Sequence, residues 1–395
     1  MGLSASGVEI HSLGCRLNIA ESERIRALLA GERDVVVVNS CAVTTEAVRQ
    51  TRQTIRRARR ARPDARLLVT GCAAEIERDQ LSAMPEVDGL IPNASKLDPR
   101  AWNVAPPVSA VPAAHTRAFV AVQNGCDHAC TFCVIPQGRG PSRSLTIPKV
   151  LREVGRHLEQ GAPEVVLTGV DVTSWGHDLP DGPTLGRLVR AVLDAFPQMT
   201  RLRMSSLDGV EIDAELFELF AEEPRVMPHL HLSLQHGHDL ILKRMKRRHS
   251  RADAVRLVQR LRERRPEIAI GADLIAGFPT EDGVMHEANR SIIRELNIVH
   301  GHIFPYSPRP GTPAARMPQV DHSRIRRRAA DLREEVAAVR ERWLSGLVGQ
   351  PSAVLAERDR TGHSGTFARY ALPEGTMPGT FVTITPTRIE DGLLR

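Results

Sequence analysis

Short apolar runs alternate with longer polar stretches along the first hundred residues. Four runs rich in valine, leucine and isoleucine have the length and composition of strands, and two polar stretches carry apolar residues at helical spacing. The strands are residues 8–13, 35–38, 67–69 and 87–91, and the helices are residues 21–30 and 46–62. Because strand and helix alternate, the pattern predicts an open α/β domain with a parallel sheet over residues 1–100.

The alternation stops at a stretch that is rich in proline and small residues. Residues 103–112 read NVAPPVSAVP and have no apolar periodicity. Such a composition is typical of a connection between domains. We therefore predict a linker over residues 101–115.

From residue 118 onward, strand and helix alternate again at longer intervals. Six apolar runs are each followed by a helix-sized segment. They are residues 119–123, 164–169, 201–205, 229–234, 268–275 and 298–304. Six units are too few for an eight-stranded barrel, so we predict a partial (β/α)6 barrel over residues 116–345, ending in a long charged helix. Residues 346–395 are predicted to form a small β module.

Composition narrows the class of protein. The chain has 395 residues, of which 42% are hydrophobic, so it can bury more than one core. No apolar run approaches the ~18 residues of a membrane span, and the amino terminus lacks a basic segment followed by an apolar one. We expect a cytoplasmic protein without a membrane partner.

Three of the six cysteines lie on one loop. Cys126, Cys130 and Cys133 have the spacing C-x3-C-x2-C directly after the first barrel strand. Thiolates are the usual ligands of iron-sulfur clusters, and three of them leave one iron open for a substrate or cofactor. The alternative is zinc, but zinc sites usually combine paired C-x2-C units with a fourth ligand, and His128 lies between the cysteines.

The other three cysteines are far apart in sequence but occupy equivalent places. Cys15, Cys41 and Cys72 each follow a predicted strand by a few residues. The carboxyl ends of parallel strands line one crevice, so a second three-thiolate site is predicted there. The alternative is three buried structural cysteines, since free cysteine is among the most buried residue types.

The loop spacing, at the mouth of a partial barrel, resembles the radical S-adenosylmethionine (SAM) superfamily. The resemblance implies a [4Fe-4S] cluster whose open iron binds SAM, and reductive cleavage of SAM to a 5′-deoxyadenosyl radical. Phe132 matches an aromatic residue that packs near the SAM adenine, although it could equally fill a core gap. Gly169 and Asp171 occupy the place of the motif for the SAM amino group, although a glycine at a strand end also has a plain turn interpretation. Three further cofactor contacts are predicted at the mouth: Ser233, Gln235 and Asp273.

Five segments, taken in order, are similar to the methylthiotransferase family over nearly the whole chain. They are LGCRLN at 13–18, NSCAVT at 39–44, VTGCA at 69–73, the cysteine loop, and YSPRPGTPA at 306–314. The first two look most like the MtaB branch of that family. The resemblance implies insertion of a methylthio group at C2 of N6-threonylcarbamoyladenosine 37 of tRNA, with two SAM, two [4Fe-4S] clusters, an electron donor and a sulfur source. The carboxyl-terminal module would be a short TRAM-like module. Sibling branches act on isopentenyladenosine 37 of tRNA or on an aspartate of a ribosomal protein.

The net charge of +6 is concentrated in arginine clusters. Five arginines recur at steps of three and four in the predicted helix 46–62, which puts them on one face. They are Arg49, Arg52, Arg56, Arg59 and Arg60. Such a face can neutralise tRNA phosphates, although a charge run is often only a solvated face. A different class remains open, a non-catalytic iron-sulfur protein that binds RNA or transfers electrons, but a carrier would be expected to supply four cysteines per cluster.

Overall fold

The amino-terminal domain is an open α/β sheet, as predicted. The computed structural model describes residues 7–105 and 116–395, so 106–115 of the predicted linker lie outside the described residues. Within that description, four parallel strands pair in the order β1-β2-β3-β4. They are β1 Val8–Ser12, β2 Val35–Ser40, β3 Arg66–Gly71 and β4 Gly89–Leu90. The helices are α1 Arg16–Leu28, α2 Thr45–Ala61, α3 Cys72–Ile76 and α4 Arg78–Ser82.

Helix α1 begins five residues earlier than the sequence pattern predicts. Its buried face contains three polar side chains, Asn18, Glu21 and Ser22. These residues interrupt the apolar spacing from which a helix is predicted. The true start is set by Cys15, whose extended backbone occupies the N-cap position.

The amino-terminal domain continues slightly into the predicted linker. A 3-10 turn spans Pro99–Trp102, and the Trp102 indole nitrogen donates a 2.8 Å hydrogen bond to the carbonyl of Lys96. Trp102 is buried against the sheet. Its large apolar side chain therefore belongs to the core of this domain rather than to a linker.

The central domain is a partial barrel, which confirms the predicted class. Among the described residues, six strands form two parallel three-stranded sheets, β5-β8-β9 and β10-β11-β12, joined by a bridge between Leu207 and Leu232; β6 and β7 form a separate short ribbon. The strands are β5 Ala118–Ala121, β6 Gln123–Asn124, β7 Arg143–Ser144, β8 Val165–Thr168, β9 Leu202–Met204, β10 His229–Gln235, β11 Ala269–Ala276 and β12 Ile298–Pro305.

Helices surround these strands and bury valine, leucine and isoleucine against them. They are α5 Ile135–Arg139, α6 Ile147–Glu159, α7 Leu185–Ala195, α8 Ala214–Glu222, α9 Asp239–Arg244, α10 Arg251–Arg264, α11 Gly283–Glu295 and α12 His322–Ser345. Helix α1 packs beside β5, and α3 packs on α5, so the two domains are in contact. Within residues 7–105 and 116–395, no helix has the length and apolarity that crossing a membrane requires.

The carboxyl-terminal module is a small sheet, as expected. In the described chain its strands pair in the order β16-β13-β14-β15-β18-β17. They are β13 Ser352–Ala356, β14 Thr361–His363, β15 Arg369–Ala371, β16 Phe381–Ile384, β17 Ile389–Glu390 and β18 Leu393–Leu394. The turn between β14 and β15 contacts the barrel, because Arg203 donates hydrogen bonds to the carbonyls of Ser364 and Gly365 at 2.8 and 2.9 Å. Phe367 of this turn stacks on the ring of His229, at the start of β10.

Candidate iron-sulfur and substrate site

The three loop cysteines, which we name the loop triad, lie between β6 and α5. The backbone N–H groups of His128 and Ile135 donate to the sulfurs of Cys126 and Cys133, each at 3.4 Å. Arg247 Nη1 lies 3.7 Å from the Cys130 sulfur. Donors and a positive charge directed at sulfur stabilise thiolate ligands.

The protonation chemistry of the loop triad suits a metal site. Burial raises the pKa of Cys126 to about 12 and that of Cys133 to about 11. Repulsion between like charges contributes to both values, from Asp171 and the other loop thiols at Cys126 and from Cys130 and Cys72 at Cys133. A metal centre removes this repulsion by binding the thiolates, with release of protons. The loop triad therefore fits the three-ligand cluster site expected from its spacing.

The other three cysteines, the sheet triad, are gathered by the fold. Cys41 directly follows β2, Cys72 opens α3 directly after β3, and Cys15 is the N-cap residue of α1. Gly14 allows this arrangement, because it has a φ of +88° and a Cβ there would lie 2.6 Å from the Cys41 Cβ. Burial raises the pKa of Cys41 to about 11, and Cys72 and Cys15 raise it further. The three cysteines thus lie at one edge of the sheet, and this donor set fits a second cluster, although their role as ligands stays a prediction.

The two triads are neighbours. Gly138 of α5 faces Cys72, since a Cβ at Gly138 would lie 3.3 Å from the Cys72 Cβ. The thiol of Cys72 also contributes to the raised pKa of Cys133. The contact between α3 and α5 therefore brings the two triads close to each other.

A buried ionic network joins the two domains beside the sheet triad. Glu21 accepts from Lys96 at 2.5 Å and from Arg139 at 2.9 Å, and all three side chains are only 1% exposed. Burial alone would raise the pKa of Glu21, but Lys96 and Arg139 together lower it. Burial raises the pKa of Cys72, and the nearby charges of Arg139 and Lys96 oppose this rise. Since Arg139 belongs to the barrel domain and Glu21 to α1, the network positions one domain on the other.

Sequence reasoning missed this network, although one signal was present. Glu21 lies four residues after Leu17 and four before Ile25, and both of these are buried. Glu21 therefore occupies the apolar face of α1. A charged residue at such a position indicates a buried partner.

Two predicted SAM contacts lie beside the loop triad. Gly169 and Asp171 directly follow β8, where Gln123 Oε1 accepts from the N–H of Asp171 at 2.9 Å. The Asp171 carboxylate lies 2.7 Å from His128 Nε2 and 3.8 Å from the Cys126 sulfur. The structure thus brings this motif to the cysteine loop.

The other predicted SAM contacts have different surroundings. Phe132 packs edge-on against Phe278, with ring centroids 6.3 Å apart, so it does fill a core gap behind the loop. The Ser233 carbonyl accepts from Arg247 at 2.9 Å, which connects β10 to the loop triad. Gln235, at the end of β10, has a φ of +69°. Asp273 accepts from two histidines inside the barrel, and its role toward SAM stays a prediction.

The arginine face on α2 divides into two kinds of residue. Arg49, Arg52 and Arg56 line a cavity of about 640 Å³, together with Arg309 from the segment 306–314. Arg59 is different, because its guanidinium donates to the carbonyls of Glu86 and Ala65 and to Asp88. Arg59 is therefore a structural residue rather than part of a free cationic surface. Arg60 is exposed and does not line the cavity.

Comparison with known proteins places this geometry in a family. A family model described as "Radical SAM superfamily" matches residues 120–288, and one described as "Uncharacterized protein family UPF0004" matches residues 7–92. The threonylcarbamoyladenosine tRNA methylthiotransferase MtaB of Rickettsia prowazekii is 43% identical to this chain, over 98% of this chain and 96% of that protein. The chain belongs to the methylthiotransferase family. Membership in this radical SAM family implies SAM and a [4Fe-4S] cluster.

Other relatives refine the placement of this methylthiotransferase. The tRNA-2-methylthio-N(6)-dimethylallyladenosine synthase of Paracoccus denitrificans is 30% identical, over 88% of this chain and 85% of that protein. The higher identity to MtaB places the chain on the MtaB branch. The structure of TsrM, a radical SAM methyltransferase from Kitasatospora setae, has a TM-score of 0.52 at 16% identity, covering 76% of this chain and 66% of that one. This likeness supports the fold alone.

The lumen of the methylthiotransferase barrel is rich in charge. Asp273 of β11 lies 3.1 Å from both His231 Nε2 and His302 Nδ1. Gly271, also on β11, leaves the space that the His231 ring occupies. Arg16, the residue after Cys15, lies with its guanidinium 5.5 Å from the centroid of the Phe367 ring. Burial lowers the pKa of Arg16 to about 10, so it stays charged at neutral pH.

Proposed function

We propose that the protein inserts a methylthio group at C2 of N6-threonylcarbamoyladenosine 37 of tRNA. The observation that carries this proposal is the placement of the two three-thiol sites next to each other, with an arginine-lined cavity on the helix that follows Cys41. Each triad leaves one iron of a [4Fe-4S] cluster without a protein ligand. A tRNA substrate also agrees with the cytoplasmic location expected from the sequence.

The reaction needs more than side-chain acids and bases. Breaking an unactivated aromatic C–H bond is chemistry that cofactors carry and proteins orient. When bound, SAM and the two clusters would supply the hydrogen abstractor and the sulfur to be inserted. Arg139 of the barrel domain hydrogen-bonds Glu21 and Asn18 of α1 and so holds the domain of the sheet triad against the domain of the loop triad. Excluding water protects the reacting groups from side reactions.

Recognition of tRNA is assigned to the α2 cavity. Arg49, Arg52 and Arg56 come from one helix face, and Arg309 joins them from the segment that follows β12. Glu77 orients two of these cations, with its carboxylate 3.0 Å from Arg52 and 3.2 Å from Arg309. Positively charged side chains fixed in one concave surface suit RNA phosphates.

The test of the substrate is mass spectrometry of tRNA nucleosides. tRNA from a strain that lacks the gene should contain threonylcarbamoyladenosine without its methylthio derivative, and the gene should restore the derivative. The matched control is the same strain carrying Cys130→Ala. Restoration of methylthio-isopentenyladenosine instead would assign the sibling substrate, and unchanged nucleosides would exclude both.

The two-cluster proposal is tested by iron analysis. Anaerobically reconstituted protein should hold about 8 Fe per chain, since each cubane has four. A content that saturates at about 4 Fe per chain would contradict the second cluster.

A further inference from the structure

Arg16 connects the sheet triad to the lumen of the barrel. It directly follows Cys15 at the start of α1, and α1 packs beside β5. Its guanidinium lies 5.5 Å from the centroid of the Phe367 ring, and the guanidiniums of Arg117 and Arg203 lie 4.9 and 5.0 Å from the same centroid. The charges of Glu164 and Asp273 also act on Arg16. The Arg16 side chain therefore lies among the charged residues of the lumen.

The other charges of the lumen are already paired. Glu164 lies 2.9 Å from Arg203, 3.4 Å from Arg117 and 3.7 Å from Arg201, and Arg117 also contacts Glu357. The carboxylate of Asp273 accepts from two histidines.

Arg16 has no such partner. Within residues 7–105 and 116–395, the structure contains no hydrogen bond or ion pair to its guanidinium, which instead lies near the Phe367 ring. The neighbouring arginines share the carboxylates of Glu164 and Glu357, and Asp273 is held by two histidines.

The half-buried guanidinium of Arg16, which has no carboxylate partner among the described residues, is available to an anionic ligand. A carboxylate that accepts two parallel N–H bonds is the strongest match for arginine. A ligand carboxylate would give Arg16 the kind of partner that Arg117, Arg201 and Arg203 already have in Glu164. Because the neighbouring cations are already bound to Glu164, Arg16 is the residue that is free to receive it.

We propose that Arg16 binds the carboxylate of the threonylcarbamoyl group and so determines which modified adenine the enzyme accepts. This inference rests on the proposed function. N6 and C2 both lie along the Watson–Crick edge of adenine, so a base that presents C2 to the sheet triad holds its N6 substituent within reach of the residue next to Cys15. An apolar N6 substituent would leave Arg16 unpaired, and a site built for a charged group rejects such an analogue.

SAM is a second source of a carboxylate, and the experiment separates the two sources. The full reconstituted chain, without SAM, is titrated with fluorescent anticodon stem-loops that carry threonylcarbamoyladenosine or the same group with its carboxylate converted to an amide. Wild-type protein should prefer the carboxylate by about 10- to 100-fold, the range for hydrogen bonds to charged groups. Arg16→Gln should reduce the preference to less than about twofold. Arg16→Lys should retain part of it, because lysine keeps the positive charge but cannot donate two parallel N–H bonds to the carboxylate.

Two controls isolate the effect. Arg24→Gln changes an exposed arginine on the same helix and should leave the preference unchanged. Iron content of Arg16→Gln should equal that of wild type, which confirms that the neighbouring Cys15 still functions as a ligand. Binding of the stem-loop with unmodified adenine should be the same in all variants.

The outcomes separate this inference from the proposed function. If Arg16→Gln keeps the preference for the carboxylate, or loses affinity equally for all stem-loops, the inference is wrong. If Arg16→Gln instead weakens SAM binding in equilibrium dialysis and leaves the stem-loop preference intact, the carboxylate belongs to SAM and the inference is also wrong. Absence of methylthio product from wild-type protein would instead remove the proposed function itself.

Discussion

The loop triad and the sheet triad contain the same three ligands but are built in different ways. The loop triad lies within eight residues, 126–133, so one short loop carries all three cysteines. The sheet triad extends from Cys15 to Cys72 and depends on three strands ending at one edge. A site on a loop can therefore be identified from a motif, whereas a site made by a sheet can be identified only through the predicted fold.

The two triads also depend on different supports. The sulfurs of the loop triad receive backbone N–H groups from their own loop and one guanidinium from Arg247. The sheet triad lies over the buried β2 strand and beside the Glu21, Lys96 and Arg139 network. We therefore expect loss of metal to affect the loop strongly and to leave the sheet domain folded.

The largest expected effect distinguishes the two triads by their chemistry. Cys130→Ala and Cys72→Ala should each lower reconstituted iron from about 8 to about 4 per chain, because each removes a ligand of one cubane. Cys130→Ala should abolish cleavage of SAM to 5′-deoxyadenosine, whereas Cys72→Ala should keep cleavage and lose only the methylthio product. Chromatography of both products measures this difference. Loss of SAM cleavage in both variants would mean that the triads do not have separate roles.

The next effect concerns the stability of the sheet triad. Arg139→Met leaves the carboxylate of Glu21 with Lys96 alone in a fully buried site, and breaking a buried ion pair costs about 3–5 kcal/mol. The free energy of unfolding in urea should fall by that amount, and iron should be lost first from the sheet triad. Arg78→Met removes a largely exposed cation 3.7 Å from Glu75 and should cost less than about 1 kcal/mol. Equal stability of the two variants would contradict a structural role for the network.

A pH-dependent effect concerns the support of the loop triad. Glu281 accepts from the N–H groups of Gly277 and Phe278, and Phe278 packs on Phe132 of the loop. Burial raises the pKa of Glu281, but the hydrogen bond from His236, the imidazole of His286 at 3.5 Å and the charge of Arg328 lower it to about 2. A folded-state pKa below the unfolded value stabilises the fold above about pH 4.5, and this stability is lost as pH falls toward 2.

The slope of stability against pH measures this contribution. The lowered pKa of Glu281 stabilises the fold by about 3 kcal/mol at neutral pH, and Glu281→Gln should remove the part of the slope between about pH 4.5 and pH 2. Glu263→Gln changes an exposed carboxylate on α10 and should leave the slope as in wild type. A slope that survives in Glu281→Gln would assign acid sensitivity to other carboxylates.

The smallest effect concerns tRNA binding on the side of the sheet triad. Arg52→Gln and Arg56→Gln should each weaken tRNA affinity by a few fold. Each should also make the slope of the logarithm of the binding constant against the logarithm of the salt concentration shallower by about one, as expected for the loss of one phosphate contact. Arg187→Gln, an exposed position on α7, is the control. Filter binding at several salt concentrations measures both quantities. An unchanged salt slope would exclude the α2 cavity as the tRNA surface.

Much of this protein is determined by local sequence. The six apolar runs of the barrel, the four of the amino-terminal sheet and the cysteine loop are all visible because their periodicity or spacing is local. Even the sheet triad follows from local pattern, once the strands that precede Cys15, Cys41 and Cys72 are accepted as parallel.

Tertiary structure alone decided the roles of the charged residues. Arg59 and Arg56 look equivalent in the α2 pattern, but only Arg59 meets the carbonyls of a neighbouring loop, which fix it in place. Arg16 reaches the charged residues of the lumen only because α1 packs beside the barrel, and Arg139 reaches Glu21 only across the domain contact. The energy of a charge depends on its distance from other charges and on its burial, and both are set by residues far away in the sequence.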